Sequence, residues 1–143
     1  MLIKIDHIAI AVHSLDAALE TFSKLLSGST MHITIEELPA HHVRIAFLTL
    51  GETRLEFLEP LSAESPVAKF LDKYGEGLHH LAFESSAIHS DLDAAAQRHF
   101  QPLFAPTCGV AHSLVSFLHP KDLHGVLVEL VQRTAVPTST DCT

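Results

Sequence analysis

A βαβββ order of elements that occurs twice in the chain is the feature that most restricts its fold. Residues Leu2 to Val12 alternate and are rich in Ile, which predicts a strand. Ser14 then reads as an N-cap, and Leu15, Ala18, Leu19, Phe22, Leu25 and Leu26 recur at helical spacing before Gly28. Three strand-like runs follow, Met31 to Leu38, Val43 to Leu50 and Thr53 to Leu58, broken at Pro39 and Gly51. Ser65-Pro66 opens a short helix that Gly75 stops at Tyr74. The order then begins again, with a strand over Gly77 to Glu84 and a helix over Ile88 to Phe100. Strand candidates follow at Pro102 to Phe104, Leu114 to Leu118 and Gly125 to Val131.

Two tandem βαβββ modules therefore predict a single α+β domain over residues 1–133. Module 1 spans about 1–62, the linker helix about 65–74 and module 2 about 75–133. Residues 134–143, rich in Thr, Ser and Pro, read as a disordered tail. Hydrophobic residues make up 47% of the 143, enough for a packed core in one ordinary domain. No apolar run reaches the length of a membrane helix, and Lys4, Asp6 and His7 interrupt any signal-peptide core. A formal charge of −8 with His neutral argues against nucleic acid. The expectation is a soluble, cytoplasmic protein. Cys108 and Cys142 have neither metal-ligand nor redox spacing, and Cys108 reads as a small apolar filler.

The repeat carries chemistry. Glu56 follows His7 by 49 residues, and Glu129 follows His80 by the same interval. With twelve His and 17 acidic residues, some equal spacings arise by chance. The significant point is placement: each His lies in the first strand of a module and each Glu in its last. By strand parity His7 shares a face with Ile5, Ala9 and Ala11, and His80 shares one with Ala82. Small alanines there leave space for a ligand. Glu56 stands between Leu55 and Phe57, and Glu129 between Val128 and Leu130. A carboxylate inside an apolar strand is costly unless something positive satisfies it. Neither Lys nor Arg recurs at equivalent positions, although Arg54 shares a face with Glu56. A divalent cation would satisfy both carboxylates and both imidazoles, and this donor set suits Co, Ni, Mn, Fe or Zn. The plain alternative is histidines satisfied in the core and glutamates on edge strands.

Other histidines carry weaker signals. His79 points away from His80 and reads as structural, and His41 and His42 read as surface turn residues. His119-Pro120-Lys121 could hold an anionic group at a strand end or simply form a turn. The chain has no phosphate loop, dinucleotide fingerprint or nucleophile elbow.

The duplicated pattern with one His/Glu pair per half resembles the vicinal oxygen chelate superfamily, the glyoxalase fold. More narrowly, IDHIAIAV (5–12), VRIAFLTLGETRLEFLEPL (43–61), ESPVAKFLDKYGEGLHHLAFE (64–84) and FLHPKDLHGVLVEL (117–130) resemble methylmalonyl-CoA epimerase. The resemblance implies that His7, Glu56, His80 and Glu129 hold one divalent ion. It implies a small-molecule acyl-CoA substrate, above all methylmalonyl-CoA, epimerised at C2 by proton transfer through a metal-stabilised enolate. Glu129 would double as ligand and base. Fold analogy suggests a homodimer. Some members place a second carboxylate base on the strand matching Val43 to Leu50, which here has no Asp or Glu. His41-His42 also stands where the family has Gln-Gly, and the glycine-rich turn before FLHPK is reduced to Gly109 to Ser113. The rival readings are a glyoxalase I-like lactoylglutathione lyase and a non-catalytic small-molecule-binding protein of the same fold.

Overall fold

The structure is a computed structural model and describes residues 1–133. Its strands are β1 (Leu2–Ala11), β2 (Met31–Leu38), β3 (Val43–Leu50), β4 (Thr53–Pro60), β5 (Gly77–Ser85), β6 (Thr107–Cys108), β7 (Ser113–Leu118) and β8 (Val128–Arg133). Its helices are α1 (Leu15–Leu25), α2 (Pro66–Tyr74) and α3 (Ile88–Gln97). The α+β class and the repeated element order agree with the reading of the sequence. Two compact units are present. One runs from His7 to His79, and the other joins Met1–Asp6 to the described residues from His80 onward. The tail at 134–143 lies outside the described residues.

In the first unit the strand order is β2-β3-β4-β1. β2 and β4 run antiparallel to β3, while β1 runs parallel to β4 with Ala9 opposite Glu56. Alternation along these strands sorts the side chains onto two faces. Ala46, Leu48, Leu55 and Phe57 turn to one face and meet Leu15, Ala18, Leu19 and Phe22 of α1. Ser14 caps α1 by accepting the Ala17 N–H at 3.2 Å, and the Glu59 carboxylate accepts the Leu15 N–H. The opposite face carries Ala9, Phe47 and Glu56. α2 starts as expected, with the Ser65 hydroxyl accepting the Val67 N–H at 3.2 Å and Pro66 in its first turn.

Phe57 is fully buried and meets Phe22 edge to face at 4.9 Å. Phe57→Ala should therefore cost about 3–5 kcal/mol, through lost burial and the cavity left beneath α1. Urea unfolding checks this, with the midpoint falling while the slope is unchanged.

The second unit repeats the order as β5-β8-β7-β6, with β5 parallel to β8 and β7 antiparallel to it. Ile88 and Leu92 of α3 pack with Leu114, Leu118, Val128 and Leu130. Here the expected boundaries shift in three places. α3 ends at Gln97 rather than Phe100 because His99 adopts φ 69°, and two reverse bonds close the helix. The Phe100 N–H donates to Ala95 O at 3.0 Å and the His99 N–H to Ala96 O at 2.9 Å, the Schellman pattern. Phe100 still packs on the core, from beyond the helix end. The expected strand at Pro102 to Phe104 contributes one isolated bridge, Pro102 to Leu118, and β6 lies further on, pairing Thr107 with Val115. Pro102 lacks the N–H that a ladder needs. The last strand begins at Val128, since Gly125 at φ 85° belongs to the turn preceding it. Cys108 packs half-buried against this core, as its reading as a small apolar filler expects; Cys142 lies outside the described residues.

Among the described residues, no helix is long and apolar enough to cross a membrane.

Candidate metal centre

Each unit brings one expected pair together. In the first, the His7 imidazole comes from β1 and the Glu56 carboxylate from β4, with Nε2 and Oε2 3.2 Å apart. Both side chains are almost wholly buried, at 4% and 6% exposure. Ala9 stands opposite Glu56 in the parallel ladder, and Phe47 stands opposite it in the antiparallel one. The second unit repeats the arrangement. His80 of β5 and Glu129 of β8 place Nε2 and Oε2 3.1 Å apart, at 4% and 9% exposure. Ala82 and Phe117 occupy the two register positions flanking Glu129. The alanines predicted beside each histidine thus leave the carboxylates their room.

The phenylalanines are the part that sequence reasoning missed. Phe47 meets the His7 ring nearly perpendicular, with centroids 5.6 Å apart, and Phe117 meets His80 likewise at 5.1 Å. Each ring fixes its imidazole edge-on and covers the carboxylate from the neighbouring strand. A signal was available: once β3 is paired with β4 and β7 with β8, parity puts Phe47 and Phe117 on the glutamate faces. Asp6, next to His7, was also passed over. It is buried, and Arg133 grips it with Nε to Oδ2 at 3.0 Å and Nη2 to Oδ1 at 2.9 Å. Such a two-point clamp ties the start of β1 to the end of β8.

The other histidines singled out in the sequence take structural roles. His79 packs edge to face on Phe70 at 4.7 Å. His41 ends a short 3₁₀ turn, and His42 follows it at φ 52° with Nε2 3.8 Å from Glu64. His119 uses Nδ1 to accept the Lys121 N–H at 3.1 Å, capping the turn Pro120–Asp122. That is the plain turn role weighed for the His119-Pro120-Lys121 segment.

The donor chemistry of the two pairs fits a divalent transition ion. Imidazole nitrogen and carboxylate oxygen each bind such ions at about 2.0–2.2 Å, so two neighbouring donors at a right angle lie about 3 Å apart. The observed 3.2 and 3.1 Å, which are direct imidazole–carboxylate contacts here, are compatible with that span in both pairs. Buried carboxylates also need a compensating positive charge, which a metal supplies.

Comparison with known proteins agrees with the repeated architecture. Residues 6–117 match the model of the Glyoxalase/Bleomycin resistance protein/Dioxygenase superfamily. The chain belongs to that superfamily. Within it, the chain is 38% identical over 135 residues to the ethylmalonyl-CoA/methylmalonyl-CoA epimerase of Cereibacter sphaeroides, covering 92% of this chain and 99% of the relative. A Streptomyces coelicolor methylmalonyl-CoA epimerase variant, solved with 2-nitronate-propionyl-CoA, superposes with a TM-score of 0.86 at 39% identity. That match covers 94% of this chain and all (100%) of the other. A methylmalonyl-CoA epimerase solved with methylmalonyl-CoA and NH4+ gives 0.85 at 39% identity, over 95% and 98% of the two chains. Within the superfamily the chain groups with methylmalonyl-CoA epimerases, and those relatives are isomerases.

Proposed function

We propose that the protein epimerises a 2-carboxyacyl-CoA thioester, methylmalonyl-CoA foremost, at the carbon between the carboxylate and the thioester. We also propose that His7, Glu56, His80 and Glu129 jointly hold one divalent ion for that reaction. The observation that carries the reading is the doubled pair. Two buried imidazole–carboxylate couples stand in the same register with ligand-like separations of 3.2 and 3.1 Å. The substrate class is supported by relatives named for these thioesters.

A divalent ion bound there would supply Lewis acidity to the oxygens on either side of the reacting carbon. The residues do the rest. A proton alpha to a thioester is only weakly acidic, so a base must be positioned against it. Glu129 takes the C2 proton through a carboxylate oxygen, leaving the carbon planar; a proton delivered from solvent to the opposite face inverts the centre, and Glu129 gives its own proton back to solvent. β3 offers no carboxylate for that second face, because it reads Val43-Arg44-Ile45-Ala46-Phe47-Leu48-Thr49-Leu50. Phe47 and Phe117 bury the couples and keep bulk water from their inner sides. A homodimer is part of the same proposal and rests on fold analogy.

The test is incorporation of solvent deuterium at C2 of methylmalonyl-CoA by metal-loaded protein, followed by NMR or mass spectrometry. Incorporation with loss of stereochemical purity is the expected outcome. Turnover of a glutathione hemithioacetal with no C2 exchange would instead favour the lactoylglutathione lyase. Inertness toward both would leave a binding protein of this fold.

A further inference from the structure

The two halves fill the space behind their sheets differently. His7 and His80 are equivalent in the repeat, as are Glu56 and Glu129, and each equivalent pair stands 73 positions apart. The same interval carries Phe22 of α1 to Ala95 of α3, and Phe57 of β4 to Leu130 of β8. In the first unit the two phenylalanine rings meet at 4.9 Å and close the gap under α1. In the second unit a methyl group and an isobutyl group stand in their places, and a cavity of about 590 Å³ remains between α3 and the sheet. Phe83, Leu118, Val128 and Leu130 form its sheet wall, and Ala94 and Ala95 its helix wall. The volume lies within the ~300–1,000 Å³ usual for small-molecule sites. By strand parity these sheet residues face away from His80 and Glu129, so the cavity is separate from the metal centre.

Charge decides what fits. Two charged side chains reach the lining, both from the α3 segment. Asp91 is already matched: its Oδ1 pairs with the Met1 amino group at 2.6 Å, and its Oδ2 accepts the Ser85 hydroxyl at 2.6 Å. Arg98 is exposed, and its guanidinium makes no ion pair or hydrogen bond among the described residues. One uncompensated guanidinium at the edge of an apolar cavity suits a molecule with a hydrocarbon body and a single anionic end. A planar carboxylate matches the guanidinium fork. We propose that this cavity is a second binding site, which takes an aliphatic monocarboxylate with its chain between α3 and the sheet and its carboxylate on Arg98.

Octanoate is the probe, with octanol as its uncharged counterpart. Both are titrated by calorimetry into the metal-loaded full chain, and the methyl resonances of Ala95, Leu118 and Leu130 report where they sit. Wild type should bind octanoate more tightly than octanol, with shifts at those methyls. Arg98→Met should weaken octanoate by about 10- to 100-fold, the scale of a lost charge-assisted contact, and octanol by less than about 3-fold. Ala95→Phe gives the second half the ring that Phe22 supplies in the first. It should abolish binding of both probes and raise Tm, as cavity filling commonly does. Octanoate that shifts only resonances beside His7 or His80 is binding as a metal ligand, which overturns the proposal. Absence of binding, undiminished affinity in Ala95→Phe, or a loss in Arg98→Met that is nil or equal for the two probes overturns it as well. Should Ala95→Phe fail to fold, the Arg98→Met comparison and the methyl shifts decide alone.

Discussion

Glu129→Gln should lower deuterium exchange at C2 of methylmalonyl-CoA by at least about 100-fold, the usual worth of a positioned general base. The amide is close in shape to the carboxylate and its oxygen can still coordinate, so part of the metal should remain. It cannot accept the proton, and that is the decisive loss. Glu56→Gln, if Glu56 only binds metal, should reduce exchange by no more than about 10-fold. The contrast is informative because the two glutamates are so alike in setting. Each faces an alanine and a phenylalanine across the ladders and sits 3.1 or 3.2 Å from an imidazole. A difference between the variants therefore reports role rather than environment. Both are measured at matched metal occupancy. Equal losses, or a larger loss in Glu56→Gln, would refute the assignment of Glu129 as base.

His80→Ala should lose metal and activity together. Loss of a partner that merely hydrogen-bonds a ligand already weakens metal binding by about 10–100-fold, and loss of a ligand should exceed that. After dialysis against a weak chelator, wild type should retain about one ion per chain and the variant almost none, read by elemental analysis. Circular dichroism should remain that of the folded protein, because His80 stands on the face of β5 turned away from the α3 core, where Ile88 and Leu92 pack. A folded His80→Ala protein at full occupancy would sink the four-residue site.

Much of this arrangement is legible along the chain, because strands and helices impose periods of their own. α1 follows from Ser14 and the spacing of Leu15, Ala18, Leu19 and Phe22, and the structure runs it over Leu15–Leu25. β2 and β3 keep the expected ends, since Pro39 and Gly51 interrupt the pattern for local reasons. The histidines and glutamates stood out because an ionisable group in an apolar strand is expensive wherever the strand is buried. Their pairing within each half followed from the duplicated order.

Where neighbours distant in sequence decide the outcome, the chain alone misleads. Helical spacing carries α3 on to Phe100, and only the left-handed turn at His99 and its two closing bonds stop it at Gln97. An extended reading of Pro102 to Phe104 is locally sound, yet a strand exists only where a partner ladder does, and β7 pairs instead with Thr107–Cys108. The Arg133–Asp6 clamp joins residues 127 positions apart, and no local pattern announces it. Phe47 and Phe117 look like any core aromatic until the register sets each one opposite its glutamate. By itself the sequence determined the repeat, the faces of the strands and the identity of the four candidate ligands, because those depend on periodicity and on the cost of burying charge. Tertiary structure alone decided which rings back the imidazoles and where elements end, because those depend on contacts between strands that no local period encodes.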